Sequence, residues 1–321
     1  MNNDFIYNVY RNSKDLYNLN LLCYTPLTSK SIKVTTINNE NYIIKKVKNE
    51  SKNKYLFLKN EGLDNIIYPI VNSKKDFLTR LESNNSFCDE CYCIMPYIEN
   101  NNVLNQTKVK SLLEQLNILH TKTSFHKNIS LFKSKRKMEE IIKYLEYKFK
   151  TIEYYIRSIE AQPFDEFSIP ILKNYQYILE AKNILINKNR IIVDAIKQEK
   201  SVIYCFIHNN PKIDHLIIDN GQKSLISIDN GMIGIPSLDI AKFYIENEDI
   251  DYDIKSDIIM YFDQYKDDFY FDYFVFLVLF IYIKDLIVEK KCYICTQNFI
   301  YIANAIKKFI LNFDLIKKPE N

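Results

Sequence analysis

The chain has 321 residues, and its 43 Lys and Arg nearly balance its 40 Asp and Glu, which leaves a formal net charge of +3. Because both signs are interspersed, the charge gives no indication of a nucleic-acid-binding protein. A hydrophobic content of 47% and a charged content of 26% are typical of a globular protein long enough for two lobes.

The location of the chain is predicted from what its sequence lacks. The N-terminus has no basic start, apolar run and small-residue cleavage site of a signal peptide. The longest apolar run, residues 273–283, is about half the length of a membrane span, which favours a buried helix. We therefore expect a cytoplasmic protein without a membrane span. Seven cysteines, an odd number, favour reduced thiols over a disulfide framework.

The first hundred residues predict a mixed lobe. Apolar positions at helical spacing over residues 1–20 indicate an opening helix. The stretches SIKVTTI and NYIIKKV flank a polar turn at 38–41 and predict a hairpin. Residues 50–61 predict a helix that Gly62 ends. Three further strands are predicted from NIIYPIV, DFLTRLE and CYCIMPYIE, with a turn at 83–86 between the last two.

From residue 105 onward the pattern becomes helical. Long amphipathic segments run over residues 105–123, 133–160 and 168–195, with breaks at 162–164 and at Pro170. Two short strands, LIID and SLISID, then surround Asn220 and Gly221, and helices continue to the end. This order predicts an α+β protein with a small antiparallel-sheet lobe over residues 1–98 and a large, mostly helical lobe over residues 99–321. The second lobe would contain a hairpin at 203–230, and a cleft would lie between the lobes.

Six short motifs occur in a fixed order over about residues 20–290. They are YIIK at 42–45, YCIMPYI at 92–98, Leu119-His120, His208-Asn-Asn210, Ile228-Asp229 and LDIA at 238–241. Together they resemble the aminoglycoside phosphotransferase and choline kinase superfamily, which has a protein-kinase-like two-lobed fold. Within it, the chain resembles the spore-coat kinase-like proteins of the CotS type. That resemblance implies ATP and Mg²⁺ as cofactors and a possible place in the spore coat.

The resemblance also implies roles for residues on the nucleotide side of the cleft. Lys45 would steady the phosphates, while Lys46 points to the other face of its strand. Tyr92, Ile94 and Met95 belong to the strand whose backbone would meet the adenine. Each also fits a plainer interpretation, namely an ordinary strand lysine and a core strand.

The catalytic loop departs from the family pattern at two positions. His208 matches the histidine of the family's His-Gly-Asp loop, but Asn210 stands where the catalytic aspartate is expected. His215 stands where an asparagine would bind Mg²⁺, although imidazole suits softer metals better. Asp229 matches the principal metal-binding aspartate, or else it only forms a turn before Asn230 and Gly231. Asp239 would brace the structure by capping the following helix.

Two further features bear on phosphate binding. Only four glycines occur, the first at position 62, so a glycine-rich phosphate loop before it is excluded. The glutamate that pairs with the strand lysine in such folds has two candidates, Glu50 and Glu61, both at the ends of the predicted helix and more typical of solvated charges.

Cysteine pairs offer a rival interpretation. Cys88 and Cys91, with Cys93 beyond, and Cys292 and Cys295 form two C-x-x-C motifs, a pattern known from zinc and redox sites. Their separation of roughly 200 residues and their apolar surroundings favour buried thiols, so no zinc is expected.

The sequence thus predicts a degenerate kinase-like protein, a pseudokinase with a structural or binding role. The alternative is a weak ATP-dependent phosphotransferase acting on a small hydroxyl- or amino-bearing molecule. A metal or thiol protein built on the cysteine pairs is the third hypothesis. The partner, a small molecule or a protein, is not indicated by the sequence.

Overall fold

A computed structural model describes residues 3–81, 90–99, 101, 103–129, 131–250, 252–289 and 292–315. These residues form two compact units, one drawn from 1–124 and 205–234 and the other from 125–204 and 235–321. The chain passes from one unit to the other three times, so each unit is discontinuous in sequence. The division predicted at residue 98 stays a prediction.

The first unit is built on a five-stranded antiparallel sheet with the strand order β1-β2-β3-β5-β4. Its strands are β1 Leu21–Pro26, β2 Ser31–Thr36, β3 Asn41–Lys48, β4 Thr79–Arg80 and β5 Glu90–Pro96. Its helices are α1 Asn3–Tyr17, α2 Ser51–Asn60 and α3 Asn105–Lys122. The predicted hairpin is confirmed, with Asn39 in the left-handed region that its turn requires (φ 62°). Gly62 likewise follows α2 at φ 68°.

Because side chains alternate along each strand, the two faces of this sheet carry different residues. Ile32, Ile44 and Ile94 pair in one row across β2, β3 and β5 and pack with Tyr92 against Phe5 and Val9 of α1. In the neighbouring row, Lys45 pairs with Ser31 and Cys93. Since adjacent strand residues face opposite ways, Lys45 lies on the face away from α1.

Two of the predicted strands are wrong in whole or part. NIIYPIV forms no strand: its backbone instead bonds outward, Ile67 N–H to Leu225 and Ile70 N–H to Ile94. Pro69 explains this, because proline cannot donate to a strand ladder. DFLTRLE is reduced to the two residues of β4, and the turn predicted at 83–86 lies outside the described residues. Strand β1, at the sheet edge, was not predicted.

The first unit also contains the loops that follow strand β7 Ser201–Ile207, at which the units divide. A two-stranded hairpin, β8 Leu216–Asp219 and β9 Gln222–Leu225, surrounds Asn220 and Gly221 as predicted. Strand β10 Met232–Gly234 then pairs antiparallel with the last residues of β7.

The second unit is mainly helical. Its helices are α4 Leu131–Glu160, α5 Ser168–Lys197, α6 Ser237–Asn247, α7 Ile254–Asp263, α8 Phe269–Asp285 and α9 Tyr293–Asn312, and β6 Phe125–Asn128 pairs with the first residues of β7. Pro170 lies in the first turn of α5, where a missing N–H costs little, so it does not break the helix. Helix α8 contains the apolar run at 273–283 and is largely buried. No helix in the described chain has the length and apolarity to cross a bilayer. The predicted α+β class, with an antiparallel N-terminal sheet and a helical C-terminal part, is confirmed.

Candidate functional site

The first unit brings Lys45 and Asp229 into direct contact, although 184 positions separate them in the chain. The Lys45 ammonium Nζ lies 2.6 Å from Asp229 Oδ1 and 3.4 Å from Ser227 Oγ. Both charged side chains are mostly buried, with exposed fractions of 15% and 13%. Because this pair is shielded from water, its Coulomb attraction is screened less than that of a surface ion pair.

Local backbone geometry presents Asp229. The strand predicted from SLISID ends at Leu225, and Ser227 takes a left-handed conformation (φ 62°) before a 3₁₀ turn, Ile228–Asn230. Asp229 therefore lies on this turn rather than at a strand end. A Cβ atom on Gly231 would lie 2.3 Å from the Phe206 ring, so only glycine fits there. The turn is held against β7 by this close approach.

Helix α2 adds a second lysine to the same turn. Lys54 Nζ donates to the backbone carbonyl of Asp229 at 2.8 Å and lies 3.8 Å from the Glu50 carboxylate. Glu50 is 64% exposed and pairs with Lys54, and Glu61 is exposed past the end of α2. Asp229 thus takes the place beside Lys45 that was considered for Glu50 or Glu61.

Two histidines that follow β7 both form hydrogen bonds with the backbone of Asn210. His208 is fully buried and donates Nε2–H to the Ile226 carbonyl at 2.8 Å, while its Nδ1 accepts the Asn210 N–H at 3.3 Å. His215 donates Nδ1–H to the Asn210 carbonyl at 2.7 Å, and the two rings stack with centroids 5.5 Å apart. These partners fix the proton on Nε2 of His208 and on Nδ1 of His215.

Asn209, next to His208, has a left-handed backbone. It has φ 66°, a conformation that asparagine adopts more readily than most residues. Its side-chain amide donates to the Asn230 carbonyl at 3.1 Å. The histidine loop and the Asp229 turn are therefore tied to each other.

The surroundings of His215 favour its uncharged form. Burial lowers its pKa below the ordinary histidine value, and Lys45 contributes in the same direction, while the Asn210 carbonyl opposes them. Because Nδ1–H is already committed to that carbonyl, only the Nε2 lone pair remains for a metal. An imidazole nitrogen is a poor substitute for the oxygen that Mg²⁺ prefers.

A cavity of about 530 Å³ opens beside the Lys45–Asp229 pair, entirely within the first unit. Its wall includes the loop between β1 and β2, the cavity face of β3, the segment after β5 and the loops around β8 and β9. The lining residues are Leu27, Thr28, Ser29, Lys30, Ser31, Ile43, Lys45, Ile67, Met95, Pro96, Tyr97, Ile98, Asp214, His215, Ile217, Ile226, Ser227 and Asn230. Apolar side chains with a few convergent polar groups are typical of a small-molecule site of this size.

An adjoining cavity of about 950 Å³ is more polar. Four lysines line it, together with Asp229 and the carboxylates of Glu50 and Glu90; the lysines are Lys30, Lys46, Lys48 and Lys54. Lys30 contributes to both cavities from the turn between β1 and β2. In that turn Thr28 Oγ1 accepts the Lys30 N–H at 3.1 Å and hydrogen-bonds Ser31 Oγ at 2.7 Å. Hydroxyl groups, rather than glycines, hold the turn.

Two of the residues predicted to bind nucleotide have side chains that pack in the core. Tyr92 and Ile94 point toward α1, since they alternate with Cys93 and Met95 along β5. The Ile94 carbonyl accepts the Ile70 N–H at 2.7 Å. Met95 does line the cavity. A role of this strand's backbone in nucleotide binding stays a prediction.

Asp239 is fully buried in the second unit, in the first turn of α6. Pro236 occupies the N-cap position, so Asp239 is not the cap, although its charge there favours the helix dipole. Three of the cysteines suggested an alternative metal or thiol site. Of these, Cys88 lies outside the described residues, and Cys91 and Cys93 are buried in β5. Within the described ranges, no group of three His, Cys, Asp or Glu side chains is placed to hold a metal ion.

Sequence reasoning missed Lys54, Ser227 and Asn209. Lys54 shares the helical face of Glu50 at a spacing of four residues, which was a signal for α2 but not for its contact with Asp229. The left-handed backbone at Ser227 and Asn209 has no strong sequence signal, because neither position is glycine.

The fold of this chain is similar to the folds of several solved structures. The AMP-bound complex of spectinomycin phosphotransferase, APH(9)-Ia, aligns with a TM-score of 0.52 at 12% identity, over 93% of this chain and 97% of that one. Amicoumacin kinase hAmiN, in complex with AMP-PNP, Ca²⁺ and Ami, gives 0.51 at 10% identity, over 96% and 94%. A thermostable mutant of aminoglycoside phosphotransferase APH(4)-Ia, in its apo form, gives 0.52 at 10% identity, over 95% and 99%.

No family model matches the sequence, and a sequence search of curated proteins finds no match. At these identities the likeness concerns three-dimensional structure. The chain has the protein-kinase-like α+β fold of the aminoglycoside phosphotransferases.

Proposed function

We propose that this chain is a degenerate member of the aminoglycoside phosphotransferase and choline kinase superfamily that binds a nucleotide and has lost most of its phosphoryl-transfer activity. The observation that carries the proposal is the buried Lys45–Asp229 pair beside a cavity of about 530 Å³. The proposed loss of phosphoryl-transfer activity rests on Asn210 and His215 in the altered loop.

The cavity has the two chemical regions that a nucleotide needs. Ile43, Met95 and Ile226 offer apolar contacts for a purine base, and the backbone that continues through Tyr97 and Ile98 offers polar groups at its edge. Lys30 and Lys45 lie at the polar end, where phosphates would be neutralised. AMP and AMP-PNP in the related folds support this choice of ligand.

The charges at the polar end of the cavity give a reason for nucleotide binding to depend on a metal. Lys45 already neutralises Asp229 at 2.6 Å, so a bare phosphate entering here would meet the carboxylate as well as the ammonium. Asp229 would hold Mg²⁺, and the positive charge of the metal would relieve that repulsion. We therefore expect nucleotide binding to depend on a divalent metal.

The altered loop is expected to weaken removal of the proton from the attacking hydroxyl of the acceptor. A carboxylate at position 210 could accept the proton of an attacking hydroxyl, but the carboxamide of Asn210 has no useful basicity. General-base assistance is worth about 10²–10⁴ in rate, so transfer is expected to be slow. His215 supplies no oxygen for the second metal contact.

A weak ATP-dependent phosphotransferase is the alternative. It is favoured by the retention of Lys45 and Asp229, since phosphoryl transfer depends mostly on positioning and charge neutralisation. Its acceptor would be a small hydroxyl- or amino-bearing molecule. The CotS-type likeness and a place in the spore coat rest on the sequence motifs and stay predictions.

A thermal-shift titration with ATP tests the proposal. In the presence of Mg²⁺ or Mn²⁺ we expect saturable stabilisation, which reaches about 2.7 kcal/mol when ATP is at about a hundred times its Kd. EDTA should remove most of it, and in Asp229→Ala the stabilisation should no longer depend on the metal. Absence of any shift at millimolar ATP with metal would count against a nucleotide site.

A further inference from the structure

Two cysteines that the nucleotide site does not use lie together at the start of helix α9 in the second unit. The Sγ atoms of Cys292 and Cys295 are 3.3 Å apart, close enough for one thiol to donate to the other. A disulfide needs about 2.05 Å, so each sulfur would move by about 0.6 Å.

The helix makes the two thiols unequal. Cys292 occupies the N-cap position of the 20-residue helix α9, and its carbonyl accepts the Thr296 N–H at 2.9 Å. Helix N-termini stabilise a thiolate, which is the reactive form of cysteine. Cys292 is partly exposed, whereas Cys295 is 5% exposed. The outer thiol can thus meet a reagent, whereas the inner thiol is shielded from solvent.

We propose that Cys292 and Cys295 form a thiol–disulfide exchange site that accepts a low-molecular-weight disulfide as its oxidant. Cys292 is the attacking thiol and Cys295 the resolving thiol. This site is independent of the nucleotide proposal.

The exchange balances in two steps. The Cys292 thiolate attacks one sulfur of the oxidant RSSR, forms a mixed disulfide and releases RS⁻, which takes up the proton that Cys292 lost. The Cys295 sulfur then attacks Cys292, displaces the second RS⁻ and gives it its proton. Two protein thiols and RSSR thus become one protein disulfide and two RSH.

The test uses the purified full chain equilibrated with excess oxidised glutathione, quenched with iodoacetamide and mapped by peptide mass spectrometry. We expect a 292–295 cross-link with the loss of two hydrogens, reversed by dithiothreitol. Cys295→Ser should instead trap one glutathionyl group on Cys292. The exposed Cys23, far from α9 in sequence, provides the matched control, because Cys23→Ser should leave the cross-link unchanged.

Two results would overturn the proposal. One is a wild-type protein in which both thiols remain open to alkylation at equilibrium, and the other is one in which Cys292 stays a mixed disulfide.

Discussion

Replacing Asp229 by asparagine should uncouple nucleotide binding from metal. In the wild type, Asp229 is the carboxylate that Lys45 neutralises, at 2.6 Å and with 13% of its side chain exposed. Asp229→Asn keeps the size of the side chain and removes its charge. Lys45 is then left as a cation for phosphate, and the ligand best able to hold Mg²⁺ is gone.

The size of the effect follows from Coulomb's law. One phosphate charge about 4 Å from the Asp229 carboxylate is repelled by about 4 kcal/mol at an effective dielectric constant of about 20. Salt and water screen part of this repulsion, so we expect at least about 1.4 kcal/mol, or tenfold tighter binding of metal-free ATP. In Mg²⁺ the variant should gain little, because the metal has lost its protein ligand.

Isothermal titration calorimetry with ATP, in EDTA and in Mg²⁺, measures both effects. The ratio of the Kd in EDTA to the Kd in Mg²⁺ should exceed ten for the wild type and approach one for Asp229→Asn. Asp214→Asn is the matched control, because it removes an exposed carboxylate from the wall of the same cavity. A variant that keeps the full metal dependence would refute this account of the site.

Three further outcomes are expected. Asn210→Asp should raise the rate of ATP consumption by about 10²–10⁴ if a proton acceptor is what the loop lacks; brisk wild-type turnover that Asn210→Ala leaves unchanged would show the assignment to be wrong. The lowered pKa of His215 means that the unfolded chain binds its proton first, so urea stability should fall as pH drops below about 6.5. His215→Asn should flatten that fall, whereas a change at the exposed His126 should not. Gly231→Ala places Cβ 2.3 Å from the Phe206 ring and should cost about 1–3 kcal/mol in urea unfolding; an unaltered midpoint would refute the close approach.

Periodicity predicted the helices and the β2–β3 hairpin because each of them carries its own local signal. The long helices α3, α4 and α5 have apolar stripes, and the turn at 38–41 and Gly62 have the residues that their backbones need. NIIYPIV has strand composition but crosses from Ile94 to Leu225 instead, since Pro69 interrupts any ladder. Composition alone does not show whether a segment has a neighbouring strand to pair with.

The candidate site was predictable in its residues but not in its geometry. Lys45 and Asp229 were selected by motif, and only tertiary structure brings them to 2.6 Å. Alternation along β5 left two possible faces for Tyr92 and Ile94, and packing against α1 decided between them. Lys54 and Asn209 act through backbone carbonyls, which have no side-chain signature in sequence.

The central claim is that the cavity beside Lys45 binds a nucleotide. Calorimetric titration of wild-type protein and Lys45→Met with ATP and Mg²⁺ tests it most directly, with Lys48→Met as a control from the same strand. The account predicts saturable one-to-one binding that Lys45→Met weakens at least about tenfold, the loss expected for one charged phosphate contact, and that Lys48→Met leaves nearly intact. No heat at millimolar ATP, or equal affinity in the wild type and Lys45→Met, would contradict it.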